Sequence, residues 1–300
     1  MGERGPGDAA TASPGTTLTA GALRAELAAV LEAGGVALPR DEARDMIAAL
    51  LDVPRFWPAT NADAPVDAAL RASALQAASR RCAGAPFAYA VGRSAYRHLT
   101  LDVDERVLIP RQETELLPEL VLARVPRAGG TAVDIGTGSG AIALALATEG
   151  QFDRVIATDV SDDALAVARR NVALLQGALR ARVELRLGAA LGPVRGERAV
   201  AVVSNPPYIA FDEMMALPSS VRDWEPAVAL CCGGDGMDVT VQIVREAAEV
   251  LEPGGVLGLE VDARRAALAA ERVAGDARYR DVAVHLDLTG RERFVTAVRR

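Results

Sequence analysis

The chain of 300 residues is 50% hydrophobic, enough to bury a large core as one large domain or two smaller ones, and two are expected. A net charge of −7 and a pI near 5.1 exclude broad, sequence-independent nucleic-acid binding, which needs a basic surface able to release counterions. All 33 basic residues are arginine, a compositional bias given no functional weight.

The opening stretch, Met1 to Thr16, is rich in Gly, Ala, Thr and Pro and has no apolar signal core, so a disordered tail is expected. No run approaches the roughly eighteen uncharged apolar residues of a membrane span. Cys82, Cys231 and Cys232 lack metal-ligand spacing. These features predict a reduced, cytoplasmic protein without a metal site.

From Thr19, Leu23, Leu27, Val30 and Leu31 repeat at helical spacing until Gly34-Gly35. A second helix is expected with Asp41 as its cap and Ala43, Met46, Ile47, Leu50 and Leu51 on one face, ended by Pro54. A third is expected from Asp63 or Pro65 to Arg81. The stretch 17–84 therefore reads as a small helical domain. In 85–112, Tyr96, Leu99, Leu101 and Val103 alternate and Val107 to Ile109 form a second short run, which predicts a β-hairpin linker.

Residues 113–300 alternate helical and strand patterns, the signature of a doubly wound α/β sheet. Seven strands are expected, at Thr131–Ile135, Val155–Thr158, Val183–Leu187, Val200–Val203, Val256–Val261, Val282–Leu286 and Phe294–Val298. Helices are expected at Ala141–Ala147, at Asp162–Leu175 behind a Ser161 cap, and at Arg264–Val273.

Two loops carry the chemistry. Gly136-Thr137-Gly138-Ser139-Gly140 joins the first strand to its helix, where glycines permit a sharp turn and close ligand approach and the helix start offers free N–H groups. Gly136, Gly138 and Ala141 also fit a dinucleotide pattern. Asp159, at the end of the second strand, is placed to accept both hydroxyls of a ribose. Together they point to a nucleoside-containing cofactor, NAD-like or S-adenosylmethionine.

The second loop, Ser204-Asn205-Pro206-Pro207-Tyr208, decides between them. Two prolines fix two φ angles and remove two N–H donors, so the loop presents carbonyls and the Asn205 amide rigidly. Hydride transfer has no use for this, but methyl transfer to a planar nitrogen does. The Asn205 oxygen and the Pro206 carbonyl can each accept one N–H of a substrate NH2, while Tyr208 lies against the substrate plane. Catalysis then rests on positioning and oriented dipoles. The same logic serves an exocyclic amine of DNA or RNA, which the acidic balance disfavours.

Asp134 to Gly140, Ser204 to Tyr208, and Leu108-Ile109-Pro110-Arg111 followed by Glu113-Thr114-Glu115 together resemble the class I S-adenosylmethionine-dependent methyltransferases that modify a glutamine in peptide chain release factors. Glu225-Pro226, Ala229-Leu230, Gly233-Gly234-Asp235-Gly236 and Pro86-Phe87-Ala88-Tyr89 with Gly92 extend the likeness, from about Leu23 to the C-terminus. The resemblance implies the seven-stranded class I methyltransferase sheet, S-adenosylmethionine as cofactor and class 1 release factors as partners, touched by the helical domain. It further implies cofactor contacts from Gly136, Thr137, Gly138, Ser139, Gly140, Asp159 and Asn205. Substrate glutamine contacts would come from Asn205, Pro206, Pro207 and Tyr208, with Asn205, Pro206 and Tyr208 catalytic.

Three departures stand out. Gln112 replaces a usual proline. Gly188-Ala189-Ala190 replaces the acidic and aromatic residues near the adenine, which implies either a lower cofactor affinity or a contact supplied by Leu191 or by backbone. Asp262 replaces a glycine after Glu260-Val261. A cofactor-sensing, partner-binding protein without turnover is the alternative these departures raise. His98 and His285 are expected in strands as structural residues, Trp57 and Trp224 as packing or partner contacts, and Asp52 and Asp67 as solvated helix surface. Arg111 could orient the substrate loop or form an ion pair.

Overall fold

The computed structural model describes residues 18–300, so the expected tail, 1–16, lies outside the described residues. The chain forms two compact units, the first ending at Gly84 and the second spanning Ala85–Arg300.

The first unit contains α1 (Ala20–Ala33), α2 (Pro39–Leu51), α3 (Trp57–Thr60) and α4 (Ala68–Cys82). Thr19 caps α1 by accepting from the Ala22 N–H, and Leu23, Leu27 and Leu31 are fully buried. In α2 the expected cap is corrected. Leu38 holds the N-cap position without a side-chain bond and Pro39 opens the helix; Asp41 lies inside the first turn, where a carboxylate favours the positive end of the helix dipole. The helix α4 starts later than expected because Asp67 caps it, accepting from the Leu70 N–H at 2.7 Å. Asp52 takes a left-handed φ of 55° and closes α2. Both residues are helix-end signals rather than plain solvated surface.

The second unit opens with α5 (Phe87–Val91), β1 (Arg93–Tyr96) and β2 (Leu99–Asp102). The two strands form an antiparallel hairpin turning at Arg97 and His98. Its arms are shorter than expected: Arg97 adopts φ 53°, His98 sits in the turn rather than in a strand, and Val107 to Ile109 belong to no strand. A 3₁₀ turn at Glu113–Glu115 leads into α6 (Leu116–Leu122). Then follow β3 (Thr131–Ile135), α7 (Ala141–Glu149), β4 (Arg154–Asp159), α8 (Asp162–Leu174), β5 (Arg182–Leu187) and β6 (Ala199–Ser204). Between β6 and β9 lie the two-residue strands β7 (Ile209–Ala210) and β8 (Cys231–Cys232), the short helices α9 (Ser219–Arg222) and α10 (Ala227–Leu230), and α11 (Asp238–Val250). The unit closes with β9 (Leu251–Glu260), α12 (Ala266–Ala274), β10 (Tyr279–Leu286) and β11 (Glu292–Arg299).

All seven expected strands are present and make one sheet in the order β10-β11-β9-β6-β3-β4-β5. The strands β9, β6, β3, β4 and β5 run parallel, and β11 is antiparallel to its neighbours. Alternation along β3 divides the core. Val133 and Ile135 join α11 and α12 on one face. Ala132 packs on the other face with α6, α7 and the hairpin residues Tyr96, Leu99 and Leu101. The helix α11 was not among the expected elements, although Thr240, Ile243, Val244, Ala247 and Val250 form a buried stripe along it.

Register brings the strand ends level. Ile135 pairs with Thr158 on one side and Ser204 on the other, and Ser204 pairs with Leu259. The next residues along these strands, Gly136, Asp159, Asn205 and Glu260, therefore emerge side by side at the carboxyl edge, where open α/β sheets bind ligands.

Asn171 of α8 ties the hairpin to that edge. It is fully buried, its oxygen accepts from the Asp102 N–H at 2.7 Å, and its NH2 donates to the carbonyls of Asp102 at 2.9 Å and Ser139 at 2.8 Å. Asn171→Ala leaves one buried and two part-buried backbone groups without this partner and is expected to cost roughly 2–4 kcal/mol in urea unfolding. A loss under about 0.5 kcal/mol would show the tie to be dispensable.

Candidate active site

The glycine loop needs its glycines. Gly136, Gly138 and Gly140 have φ of 71°, 54° and 87°, the left-handed region that costs other residues strain. The Gly136 and Thr137 N–H groups both donate to the Thr158 carbonyl at 2.9 Å, closing the turn onto β4. The Thr137 hydroxyl donates to Asp134 at 2.6 Å, and the Ala143 N–H reaches the same carboxylate oxygen at 3.1 Å. Asp134 thus buttresses the start of α7 from below. Its other oxygen, Oδ1, has no partner. Burial pushes the Asp134 carboxyl up to about 7, against the hydrogen bonds from Thr137 and Ala143.

Asp159 accepts from the Gly138 N–H at 2.8 Å through one oxygen and from the Ser161 N–H at 2.9 Å through the other. Each oxygen keeps capacity for one more donor, which suits a vicinal diol. Burial raises its carboxyl, opposed by those backbone bonds.

A cavity of about 340 Å³ runs along this edge, lined by Gly136, Gly138, Asp159, Asn205, Pro206 and Pro207 among others. That volume falls in the range of small-molecule sites, roughly 300–1,000 Å³. Ala189, Ala190, Val239, Gln242 and Ile243 line it as well. Leu191, expected as one alternative for an adenine contact, is only 1% exposed, packs in the core and does not line this cavity. Cys231 and Cys232 also line this cavity.

Of the other residues singled out in the glycine loop, Thr137 and Ser139 line a neighbouring 50 Å³ cavity with Thr114 and Asn205. Gly140 lines neither of these two cavities and serves as the left-handed N-cap of α7. Tyr208 lines a third cavity of about 200 Å³ with Asn205, Pro206, Leu108, Arg111 and Leu217. Burial pushes its phenol up to about 12, so it stays neutral. Asn205 borders all three cavities.

The proline loop is held from two sides. The Ser204 hydroxyl donates to the Ile135 carbonyl at 2.7 Å, locking β6 to β3 beneath it. The Asn205 NH2 donates to the Thr114 hydroxyl at 3.3 Å, and the Thr114 carbonyl accepts from the buried Tyr96 hydroxyl at 3.1 Å. Arg111 forms an ion pair with Glu225, which is 5% exposed and also accepts from the Ile109 N–H at 3.2 Å. Of the two expected uses for Arg111, the ion pair is the one present. Trp224 packs beside Tyr89, Val103 and Val107.

The sequence reading missed Thr114, Glu225 and Glu260 as parts of this site. They stood only inside quoted motifs, and nothing in their spacing announces which partner each meets. Asp262 also finds its place: it accepts from the Arg264 backbone N–H at 2.9 Å and its guanidinium at 2.8 Å, organising the turn before α12. Among the described residues no group of three or more His, Cys, Asp or Glu is placed to hold a metal, and no helix is long and apolar enough to cross a membrane.

Two family descriptions match the chain, the PrmC N-terminal domain over residues 22–92 and the Methyltransferase small domain over residues 112–217. A release factor glutamine methyltransferase of Moorella thermoacetica is 41% identical over 273 residues, covering 90% of this chain and 95% of its own length. That of Cereibacter sphaeroides is 42% identical over 281 residues, covering 93% and 97%. Among solved structures, the hMettl16 catalytic domain in complex with MAT2A 3'UTR hairpin 6 aligns with a TM-score of 0.51 at 16% identity, covering 78% of this chain and 82% of that one. That last likeness concerns the fold alone.

The buried Asp134 has a linkage consequence. Its folded pKa, about 7, lies above the ordinary 3.8, so the native state holds the proton more tightly and its stability falls as pH rises between those values. Relative to Asp134→Asn, the wild type should therefore lose stability between about pH 4 and 7, with a slope of up to about 1.4 kcal/mol per pH unit that levels off above the folded value. Urea midpoints of both proteins across that range test this, and parallel curves would contradict it.

Proposed function

The chain belongs to the release factor glutamine methyltransferase family, and from that membership we propose that it methylates the side-chain amide nitrogen of the glutamine in the Gly-Gly-Gln motif of class 1 peptide chain release factors, with S-adenosylmethionine as donor. The single observation that carries the reading is the position of Asn205, which borders the 340 Å³ cavity beside the glycine loop and the 200 Å³ cavity beside Tyr208 at once.

The cavity beside Asp159 fits the cofactor in size and in donor chemistry. Asp159 would hold the ribose hydroxyls, and Gly136 to Gly140 would pass close to the methionine part. When bound, S-adenosylmethionine supplies a methyl on a sulfonium sulfur that leaves as a neutral thioether.

The rest of the chemistry belongs to the protein. An amide nitrogen is a weak nucleophile because its lone pair is delocalised. Asn205 Oδ1 and the Pro206 carbonyl would each accept one N–H of the glutamine NH2, which orients the nitrogen and raises its electron density. Two successive prolines keep those acceptors from relaxing toward the substrate, so the arrangement is prepaid rather than formed on binding. Tyr208, a neutral phenol, would flank the amide plane together with Pro206. No strong base is required before attack, since the nitrogen gains a carbon and can lose one proton afterwards to water.

An exocyclic base amine would satisfy the same loop, but the acidic charge balance and the named relatives favour a protein substrate. Ala189, Ala190 and Asp262 no longer motivate a protein without turnover. The alanines border the cavity and Asp262 makes a structural turn. A cytoplasmic location, where release factors act, accompanies this proposal, supported by three free cysteines among the described residues.

Incubation with S-adenosylmethionine and a release factor, followed by digestion, should add 14 Da (about one CH2) to that glutamine. Asn205→Ala should lower kcat/KM by roughly 10²–10³ while cofactor binding survives, the effect of removing one oriented polar group. A fall below about threefold would mean that Asn205 does not hold the amide.

A further inference from the structure

The oxygen and NH2 of an asparagine are nearly isosteric, so only its hydrogen-bond partners decide which one faces a substrate. A substrate NH2 needs the oxygen. Asn205 makes one side-chain hydrogen bond, from Nδ2 to the Thr114 hydroxyl. That hydroxyl carries a single proton, and it can accept from Asn205 without conflict only if its own proton goes elsewhere.

Glu260 is the acceptor at hand. It is the last residue of β9, 1% exposed, near enough to Thr114 for the hydroxyl to favour its ionised form, and its buried Oε2 has no hydrogen-bond partner. Thr114 itself is 5% exposed and held at its carbonyl by Tyr96, so the three groups form a fixed row.

We propose that Thr114 and Glu260 are positioning residues for methyl transfer: the Thr114 hydroxyl donates its hydrogen bond to ionised Glu260, the Thr114 oxygen accepts the Asn205 N–H, and Asn205 Oδ1 is thereby turned toward the substrate NH2. This rests on the reading that Asn205 receives an amide. The row can also run backwards. Protonated Glu260 donates to Thr114, whose proton then goes to Asn205 Oδ1, and the asparagine presents its NH2 to the substrate NH2. Two donors then face each other, and the amide is not held.

The charged and titratable groups around Glu260 bear on where this happens. Arg293 from β11 and Arg111 favour its ionised form, and Glu113 opposes it. The phenols of Tyr208 and Tyr96 also feel its charge. Burial dominates and pushes the carboxyl up to about 7. Activity should therefore rise with pH through the neutral range as Glu260 ionises.

The test compares wild type, Thr114→Ser, Thr114→Val and Glu260→Gln by kcat across pH 5.5–9 on a release factor, by calorimetric S-adenosylhomocysteine affinity, and by urea stability against pH. Thr114→Val should lower kcat roughly 10- to 100-fold with cofactor affinity held within about threefold, and Thr114→Ser should recover most of the rate. Glu260→Gln, which does not titrate, should flatten the acid limb of the kcat profile and remove the matching pH dependence of stability. The relay is overturned if Thr114→Val keeps kcat within about threefold, if Ser and Val are equally impaired, or if Glu260→Gln retains the acid limb. Should Thr114→Val fail to fold, the Glu260→Gln profile decides alone. A wild type that binds S-adenosylhomocysteine but leaves the glutamine unmethylated defeats the functional reading instead of the relay.

Discussion

Strands that end level in a parallel sheet leave terminal carbonyls and the amides of the following turns without ladder partners, and those groups must be satisfied locally. In this protein they satisfy one another. The Thr158 carbonyl takes two N–H groups of the glycine loop, the Ile135 carbonyl takes the Ser204 hydroxyl, and the Asp159 carboxylate takes N–H groups from both loops that flank it. Each bond that completes the sheet edge also fixes a loop of the site. Precision at Asn205 is thus inherited from the register of β4, β3, β6 and β9, and it would be lost with that register.

The segment between Ala85 and Glu115 supplies what the sheet cannot. The Tyr89 hydroxyl donates to the Val107 carbonyl, the Tyr96 hydroxyl to the Thr114 carbonyl, and Arg97 reaches both Glu149 and the Glu115 carbonyl. Irregular backbone is thereby pinned at points by long side chains. Such pinning explains how a stretch with little regular structure can present Leu108, Arg111 and Thr114 at fixed places.

Local signals in the sequence were strong enough to place the sheet, the glycine loop, Asp159 and the proline loop. Strand alternation, a Gly-rich turn and a Pro-Pro pair each act within a few residues, and their physics is visible without a partner. What escaped was contact across distance. Thr114 and Asn205 lie 91 residues apart, and Arg111 and Glu225 lie 114 apart. A glutamate in a motif gives no sign that it will end up buried, as Glu225 and Glu260 do. Helix caps failed for a subtler reason: Asp41 and Asp67 both precede helical patterns, and only the position of Pro39 and the path into α4 decide which of them caps.

The cavities on the two sides of Asn205 share a thin wall. Leu108, Asn205, Pro206 and Ala229 border both the 340 Å³ and the 200 Å³ chambers. On the proposed reading, the two reactants occupy separate rooms and a methyl group passes between them at this partition. None of these four side chains is a nucleophile able to carry a carbon, and burial pushes up the Cys231 and Cys232 thiols of the larger chamber, which keeps them in the unreactive neutral form. The group therefore crosses in one displacement, inverting its configuration, and both reactants must be present at once. Initial-rate plots would intersect rather than run parallel.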